Sequence, residues 1–520
     1  MNGADRLCDV LLANDVDVCF ANPGTSEMHF VAALDRKPQM RCILGLFEGV
    51  VTGAADGYAR MADKPAATLL HLGPGLANGL ANLHNARRAR TPMINVVGDH
   101  ASYHLAHDAP LTSDIESLAR PMSHYVRRIG GAHDVGRAIV DAYTASLTLP
   151  GVTTVILPAD AAWGEVPEAP VVPVLRPRLS RVAPAAVEDV ARLLRATLAA
   201  GRRPALLLTG GALRQGPLEA AGRIATLMGI RIIAEMSNGR IERGRGRVAI
   251  DKVPYVVDTA VAFLQDVDVL VLVGSQVPVG FFAYPGKPGR MVRDDCDIVT
   301  LARPGQDLGA VVTDLADALG VPGHAPLPPQ RVEDEGGLPT GPLTADAINR
   351  IVGHMIPENA IVCDESVSSG RRFYPSTHAS APHDYLQLTG GAIGVGIPLA
   401  TGAAVACPGR KVIGLQADGS GMYTVQGLWT QARENLDVVT VIIANRAYAI
   451  LQGEMRNVGV NTFGRNAEMM LSLDQPALDW VSLARGMGVP GTRATTGEEL
   501  AAQLASALAT PGPALIEAVI

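Results

Sequence analysis

The sequence predicts an α/β protein made of three doubly wound domains, each built on a parallel β-sheet. Short apolar runs, typical of buried strands, alternate with longer amphipathic stretches that are typical of helices. Such alternation indicates parallel strands joined by crossover helices. Gly (55 residues) and Ala are frequent, while aromatic residues make up only 4% of the chain, which suits helices packed closely on sheets. A chain of 520 residues has room for roughly three domains of about 150 residues.

Two proline-rich segments separate the blocks of strands and helices. The first is EVPEAPVVPVLRPRLS, residues 165–180, and the second is GHAPLPPQRVEDEGGLPTG, residues 323–341. Both compositions are typical of linkers that run over a surface. We therefore predict an N-terminal domain over residues 1–165, a middle domain over 181–325 and a C-terminal domain over 342–520.

Charge, hydropathy and cysteine spacing narrow the functional classes. The net charge is −7 and there is no long basic run, so nucleic acid is not an expected partner. No apolar run approaches the roughly 18 residues that a membrane helix needs, and the N-terminal residues read as a helix rather than a signal peptide. The six cysteines are scattered without a CxxC pair, which predicts reduced thiols in a cytoplasmic protein.

The stretch KVIGLQADGSGMYTVQGLWTQARENLDVVTVIIAN, residues 411–445, predicts a metal site. One strand ends at Asp418, a helix pattern follows, and the next strand ends at Asn445. The carboxyl ends of neighbouring parallel strands share one edge of a sheet, where ligands bind. Their side chains are hard oxygen ligands of the kind that Mg²⁺ prefers, and the N–H groups of Gly419 and Ser420 would face a phosphate. The alternative is an ordinary polar turn.

The stretch ILGLFEGVVTGAADGYAR, residues 43–60, places an acid, Glu48, at the point where the pattern predicts that a strand is followed by a tightly packed helix. Glu48 follows a run of apolar residues and precedes a run of small ones. Taken alone, it suits the first turn of a helix, where the helix dipole favours a negative charge. A functional role for the carboxylate is the second interpretation.

Two further strand ends carry polar residues. His71 follows an apolar run and precedes Gly73–Gly79, a Gly-x-Gly-x-x-x-Gly pattern that is open to interpretation as a dinucleotide fingerprint. A histidine here serves either a structural role or proton transfer. Thr25 follows a Pro-Gly turn and, taken alone, reads as a helix cap.

These motifs together resemble the thiamine-diphosphate (ThDP) enzymes of the acetolactate synthase, pyruvate decarboxylase and benzoylformate decarboxylase group. Their motif is Gly-Asp-Gly followed further along the chain by Asn-Asn. In this chain Ala417 replaces the first Gly and Ala444 replaces the first Asn, while Asp418 and Asn445 match the metal-binding positions. The resemblance implies ThDP and Mg²⁺ as cofactors, with the backbone carbonyl of Ala447 as the third protein ligand of the metal.

The resemblance also implies roles for the other residues. Glu48 would meet the aminopyrimidine ring of the cofactor and share a proton with a ring nitrogen. Gly391 would offer its backbone to the same ring, and Ile393 would be the apolar wedge that bends the cofactor. His71 matches an active-site histidine of benzoylformate decarboxylase, and Thr25 aligns with a serine that contacts the substrate carboxylate there.

The activity that this resemblance implies is decarboxylation of a 2-oxo acid, or carboligation after it. We favour non-oxidative decarboxylation, because the chain is closer to the decarboxylase at 109–121, although Phe281 and Phe282 stand where that enzyme has its second histidine. Acetolactate-synthase-like carboligation is the main alternative, and whether FAD binds the middle domain stays open. An NAD(P)-dependent dehydrogenase that uses Gly73–Gly79 is the alternative from another class. The family further implies a homodimer or homotetramer with sites between subunits, a small-molecule partner, and no nucleic acid or membrane.

Overall fold

A computed structural model of the protein describes residues 1–331 and 336–520, which form three β-sheets covered by helices. The prediction of an α/β protein with three parallel-sheet units is confirmed. The strands are β1 (Val18–Asn22), β2 (Arg41–Leu44), β3 (Ala66–Leu70), β4 (Met93–Asp99), β5 (Tyr125–Arg128), β6 (Val152–Pro158), β7 (Pro204–Leu208), β8 (Arg231–Ala234), β9 (Ile241–Arg243), β10 (Asp251–Lys252), β11 (Val269–Val273), β12 (Asp297–Ala302), β13 (Ala360–Glu365), β14 (His383–Gln387), β15 (Val412–Ala417), β16 (Val438–Ala444), β17 (Gly491–Ala494) and β18 (Ala514–Val519).

The α-helices lie between these strands, as the alternating pattern predicts. They are α1 (Gly3–Ala13), α2 (Met28–Asp35), α3 (Glu48–Ala62), α4 (Leu72–Ala89), α5 (Ile115–Ala119), α6 (Val135–Thr148), α7 (Ala159–Trp163), α8 (Pro184–Ala199), α9 (Gln215–Met228), α10 (Val257–Leu264), α11 (Leu308–Ala318), α12 (Ala345–Met355), α13 (Phe373–Ser376), α14 (Gly396–Ala406), α15 (Asp418–Gly421), α16 (Gly427–Arg433), α17 (Ala449–Asn457), α18 (Arg465–Leu471), α19 (Trp480–Gly486) and α20 (Gly497–Ala509). Within residues 1–331 and 336–520, none of these helices combines the length and apolar character needed to cross a membrane.

The N-terminal sheet is parallel throughout, in the order β2-β1-β3-β4-β6-β5. Strands β3, β4 and β6 are buried along their whole length, which explains their continuous apolar sequences. The chain leaves β1 toward β2 on one side and returns to β3 on the other. The gap between the carboxyl ends of β1 and β3 is therefore a topological switch point, the usual ligand crevice of such sheets.

The other two sheets repeat this plan. The middle sheet has the order β10-β8-β7-β11-β12, and the C-terminal sheet has the order β17-β18-β16-β15-β13-β14-β9. The switch points are β7/β11 and β13/β15. Strand β9 comes from the middle part of the chain, yet it pairs antiparallel with β14, a pairing that the sequence does not predict. The predicted domain boundaries stay predictions.

Small residues allow the N-terminal and C-terminal units to meet at a close crossing of α3 and α14. A side-chain carbon built at Gly57 would lie 2.1 Å from the carbonyl oxygen of Leu399, and one at Gly402 would lie 1.8 Å from that of Ala54. Contacts this short exclude any larger residue unless the helices separate. This packing explains the small residues that follow Glu48.

Candidate active site

The strands β15 and β16 bring the predicted metal ligands to one edge of the C-terminal sheet. They pair in parallel, with Ala417 opposite Ile443, so Asp418 and Asn445 both follow the carboxyl ends. The backbone confirms the proximity, because the N–H of Arg446 donates to Asp418 Oδ2 over 2.7 Å. The strand-end geometry that the sequence predicts is present.

The carboxylate of Asp418 is buried, and no cationic side chain of residues 1–331 or 336–520 pairs with it. It is 3% exposed, and its other oxygen accepts the N–H of Gly419 at 2.8 Å. Burial raises the pKa of Asp418, the two backbone N–H groups oppose that rise, and the nearby carboxylate of Glu517 adds to it. A divalent cation beside Asp418 would offset this unfavourable charge.

The remaining donors have the hard oxygen chemistry that Mg²⁺ requires. The side-chain oxygen of Asn445 accepts the N–H of Ala447 at 3.0 Å, which orients the amide. No hydrogen bond to the carbonyl oxygen of Ala447 occurs among the contacts of residues 1–331 and 336–520. The same residues contain no cluster of three or more His, Cys, Asp or Glu side chains suited to a metal. A set with a single carboxylate leaves positions for phosphate oxygens and water, so the residues present fit Mg²⁺ with a diphosphate.

Gly419 and Ser420 lie in α15 directly beside Asp418. A side-chain carbon at Gly419 would lie 2.5 Å from the ring of Tyr448, so only glycine fits under that ring. The hydroxyl of Ser420 accepts a 2.6 Å hydrogen bond from Gln416 and donates to the Ala417 carbonyl at 3.2 Å. Because its hydroxyl is engaged, a contact of Ser420 with phosphate would use the backbone.

A buried glutamate that sequence reasoning did not single out holds the predicted aminopyrimidine loop. The carboxylate of Glu365 accepts the N–H groups of Gly394 and Gly396, each at 2.7 Å. Burial raises the pKa of this group and the hydrogen bonds oppose the rise. Gly391 and Gly394 have positive φ of 79° and 98°, conformations that favour glycine. Ile393 is half-buried between them.

At the N-terminal sheet, Glu48 is the first residue of α3 and is 9% exposed. Asn78 donates to Glu48 Oε2 over 3.0 Å. A side-chain carbon at Gly75 would lie 3.0 Å from Glu48 Oε1, so the absence of a side chain there leaves room beside the carboxylate. The predicted transition from strand through a short turn to a packed helix is confirmed.

The glycines of the suspected dinucleotide fingerprint lie inside α4, which begins at Leu72. Gly73 faces Ser113, whose Oγ would lie 1.9 Å from an added carbon, and Gly79 faces the side chain of Thr52 at 2.9 Å. A dinucleotide fingerprint needs its first glycines in a turn before the helix. These glycines instead allow neighbouring side chains to approach the helix.

His71 is paired with a buried acid that the sequence analysis missed. Its Nδ1 lies 2.8 Å from Glu27 Oε2 and 3.3 Å from the hydroxyl of Ser26. The Glu27 side chain is 1% exposed and also accepts the N–H of Gly24 at 2.8 Å. The interpretation of Thr25 as a helix cap is wrong. Thr25 is the first residue of a short 3₁₀ helix, Thr25–Glu27, and Gly24 occupies the cap position. The Glu27 side chain accepts the N–H of Gly24, and Thr25 is exposed.

Three non-glycine residues with positive φ follow strands that lead to these sites. They are Leu72 after β3 (49°), Val367 after β13 (50°) and Arg446 after β16 (54°). The β-branched Val367 is especially unfavourable in this conformation. Backbone strain of this kind concentrates at functional sites, and here it lies at strand ends of two sheets.

The predicted residues fall into two groups within one chain. Glu48, His71 and Thr25 belong to the N-terminal edge; the C-terminal group is Gly391, Ile393, Asp418, Gly419, Ser420, Asn445 and Ala447. In the described part of the chain, no hydrogen bond or ion pair joins Glu48 to this second group. Asn82 connects the halves indirectly by donating to the carbonyls of Gly49 (2.7 Å) and Gly394 (3.3 Å).

Comparisons with known proteins agree with this pair of edges. Residues 1–118 match the family model described as the N-terminal TPP binding domain of thiamine pyrophosphate enzymes, and residues 368–518 match the C-terminal TPP binding domain. The chain belongs to the thiamine-diphosphate-dependent enzymes related to benzoylformate decarboxylase and acetolactate synthase.

Individual relatives span the whole chain. A Mycobacterium tuberculosis protein provisionally named acetolactate synthase large subunit IlvX is 50% identical over 100% of this chain and 99% of its own length. Benzoylformate decarboxylase of Pseudomonas aeruginosa is 30% identical over 98% and 97%. The structure of a ThDP-dependent 4-hydroxybenzoylformate decarboxylase from Rhodococcus jostii superposes with a TM-score of 0.87 at 25% identity, covering 99% of this chain and 98% of that one.

Proposed function

We propose that this enzyme uses ThDP and Mg²⁺ to decarboxylate a 2-oxo acid without oxidation. The observation that carries the proposal is the buried Asp418 carboxylate near Asn445, a hard oxygen site with which no cationic side chain pairs in the described part of the chain. Asp418, the Asn445 amide oxygen and the Ala447 carbonyl would hold Mg²⁺, and the cation would bind the diphosphate. Membership of the family implies that ThDP is the cofactor, and the arrangement of these oxygen atoms supports Mg²⁺ as the metal.

When bound, ThDP supplies a nucleophilic carbon and an electron sink for the electrons released as CO₂ leaves. The protein's contribution is to place groups that move protons. Glu48 presents a carboxylate at the start of α3, and Asn78 orients it. We assign to Glu48 the proton exchange that activates the cofactor.

His71 is the candidate for protonating the product. Its Nδ1 faces Glu27, so the hydrogen bond leaves Nε2 as the nitrogen able to exchange a proton. Thr25 is exposed after the neighbouring strand β1, at the same edge of the sheet, where a substrate carboxylate would reach its hydroxyl. Together, these groups support decarboxylation followed by protonation to an aldehyde.

Carboligation of the acetolactate synthase type is a second candidate, favoured by the relative that is 50% identical. We do not include FAD in this proposal, because Leu308 lies against two glycines at the switch point of the middle sheet. A side-chain carbon at Gly274 would lie 2.3 Å from Leu308 Cδ1, and one at Gly210 would lie 3.3 Å from the same atom. A nucleotide at that crevice would have to displace Leu308.

We further propose a cytoplasmic homodimer or homotetramer. All six cysteines are free, in keeping with a reducing compartment. Several large apolar side chains near the two edges are exposed in the single chain, including Leu46 (45%), Tyr423 (54%) and Leu451 (44%). A second subunit that covers them would bring Glu48 of one chain to the metal site of the other.

Calorimetric titration of ThDP into metal-free protein, with and without Mg²⁺, tests the cofactor assignment. We expect micromolar binding that requires Mg²⁺ and is lost in Asp418→Ala. CO₂ release from a panel of 2-oxo acids then tests the reaction, with product analysis to separate aldehyde from hydroxyketone. Absence of ThDP binding under every metal condition would contradict the proposal.

A further inference from the structure

Helix α17 follows the predicted metal ligands directly and is weakly packed. None of its nine residues is buried. The residue before it, Tyr448, lies against Gly419, where a side-chain carbon would be 2.5 Å from the Tyr448 ring. The placement of α17 therefore determines how Tyr448 and the preceding backbone close over α15. A helix with so little buried surface needs other contacts to keep its place.

Contacts from the middle part of the chain reach α17 at Glu454, while backbone hydrogen bonds from Tyr448 to the Leu471 carbonyl (2.9 Å) and from Leu473 to the Arg446 carbonyl (2.7 Å) hold the turn before it. The hydroxyl of Tyr284 donates to Glu454 Oε2 over 2.7 Å, and that of Tyr255 donates to Oε1 over 3.4 Å. Burial and the neighbouring Glu454 raise the pKa of both tyrosines, so the phenols remain protonated donors. Within α17, Asn457 also donates to Glu454 at 3.4 Å.

One of these tyrosines, Tyr255, also connects α17 with the Gly391 loop. The ring of Tyr255 lies 5.4 Å from that of Phe281, centroid to centroid. Phe281 in turn covers Gly391, where a side-chain carbon would lie 2.5 Å from Phe281 Cζ. The middle part of the chain thus contacts two predicted cofactor segments of the C-terminal part. Phe281 lies against Gly391, and Tyr255 and Tyr284 donate to Glu454.

We propose that Glu454 is a positioning residue: held by Tyr255 and Tyr284, it fixes α17, and through Tyr448 the metal-binding turn. Middle-domain hydroxyls therefore organise a site to which the middle domain contributes no metal ligand. The inference rests on the proposed function only in naming Mg²⁺ and ThDP as the ligands that benefit. The hydrogen bonds themselves are independent of that assignment.

Limited trypsin digestion of cofactor-free protein tests the contact. Arg456 and Arg465 are exposed cleavage sites in α17 and α18. In Tyr255→Phe/Tyr284→Phe, we expect cleavage at these sites to accelerate about tenfold, since hydrogen bonds to a charged group are lost. Tyr58→Phe is the matched control, because it removes a tyrosine–carboxylate hydrogen bond (to Asp17, 3.2 Å) away from the site. Equal cleavage in the double variant and wild type would overturn the proposal.

Substitution of Glu454 separates positioning from general destabilisation. Glu454→Gln keeps an oxygen that accepts from a phenol, so it should retain wild-type cleavage and ThDP affinity within about threefold, whereas Glu454→Ala should weaken Mg²⁺-dependent ThDP binding about tenfold. Identical behaviour of the two variants would contradict the positioning role. If wild-type protein binds no ThDP, the proposed function fails, while the digestion result still decides whether the hydroxyls hold α17.

Discussion

Two backbone N–H groups hold the Asp418 carboxylate at the C-terminal edge, whereas at the N-terminal edge a side chain contacts each acid: Asn78 contacts Glu48, and His71 contacts Glu27 in addition to the Gly24 N–H. Backbone donors are fixed by the fold and exchange no protons with the acid. Asn78 and His71 are side chains, and a histidine can carry a proton. This difference fits the proposal that one edge accepts a cation and the other moves protons.

The largest effect should come from removing the charge of Asp418, the proposed metal ligand. Asp418→Asn leaves the shape of the turn but removes the charge, so we expect loss of detectable Mg²⁺-dependent ThDP binding in calorimetry. Asp346→Asn, at an exposed carboxylate of the C-terminal part, is the control and should bind normally. If Asp418→Asn binds ThDP normally, the metal does not depend on the Asp418 carboxylate, and the proposed difference between the two edges is wrong.

The next effect concerns proton exchange at the N-terminal edge. Glu48→Gln should still bind ThDP with Mg²⁺ but should release CO₂ about 10²–10⁴-fold more slowly, the usual contribution of a positioned acid or base. Steady-state rates combined with calorimetry separate binding from turnover. Glu168→Gln, at an exposed glutamate, should match wild type. A variant that loses binding in proportion to turnover would show that Glu48 holds the cofactor rather than moving a proton.

A smaller effect should follow from Glu27, if it acts through its contact with His71. Glu27→Gln removes the charge opposite His71 Nδ1 while keeping the size of the side chain. We expect turnover to fall about tenfold, or about 1.4 kcal/mol in activation free energy, and the pH profile of turnover to shift. His71→Ala combined with Glu27→Gln should cost little more than His71→Ala alone. If the loss of turnover in the double variant equals the product of the two single losses, Glu27 does not act through His71.

The smallest effect is on stability, and it has opposite signs with and without ligands. Because burial raises the pKa of Asp418 in the folded protein, the fold retains this proton over a pH range in which the unfolded chain has released it. The associated stability is present at acid pH and is lost as pH rises through the folded pKa.

Without metal, Asp418→Asn should therefore melt about 2 °C above wild type near neutral pH, the shift that about 1 kcal/mol causes in a domain of this size. The gap should narrow toward acid pH. With Mg²⁺ and ThDP present, wild type should be the more stable protein. Differential scanning calorimetry across pH tests both signs, and a variant that is less stable than wild type without ligands would contradict the charge argument.

Local patterns were sufficient to predict that Asp418 and Asn445 lie close together at one edge of the C-terminal sheet. Asp418 and Asn445 each follow an apolar strand, and parallel strands align their carboxyl ends, so proximity followed from element order alone. Glu48 was found in the same way, by an acid placed between a strand and small residues. These predictions depend on the spacing of hydrophobic residues, a pattern that a few neighbouring residues are enough to show.

Pairings between distant segments needed the tertiary structure. Glu27 meets His71 because β1 and β3 are neighbours, with Asn22 opposite Leu70, although β2 lies between them in sequence. The order of strands depends on the packing of the whole sheet, which no local pattern records.

The sequence by itself determined three α/β units and the strand ends that carry acids, since both follow from local hydrophobic periodicity. Only the tertiary structure decided the polar contacts around these strand ends: Glu365 beneath the Gly394 loop, and the tyrosines that donate to Glu454. The physical reason is that these hydrogen bonds join segments that are apart in the chain and require donor–acceptor distances correct to within a few tenths of an ångström. Such distances are set by packing among residues far apart in the chain.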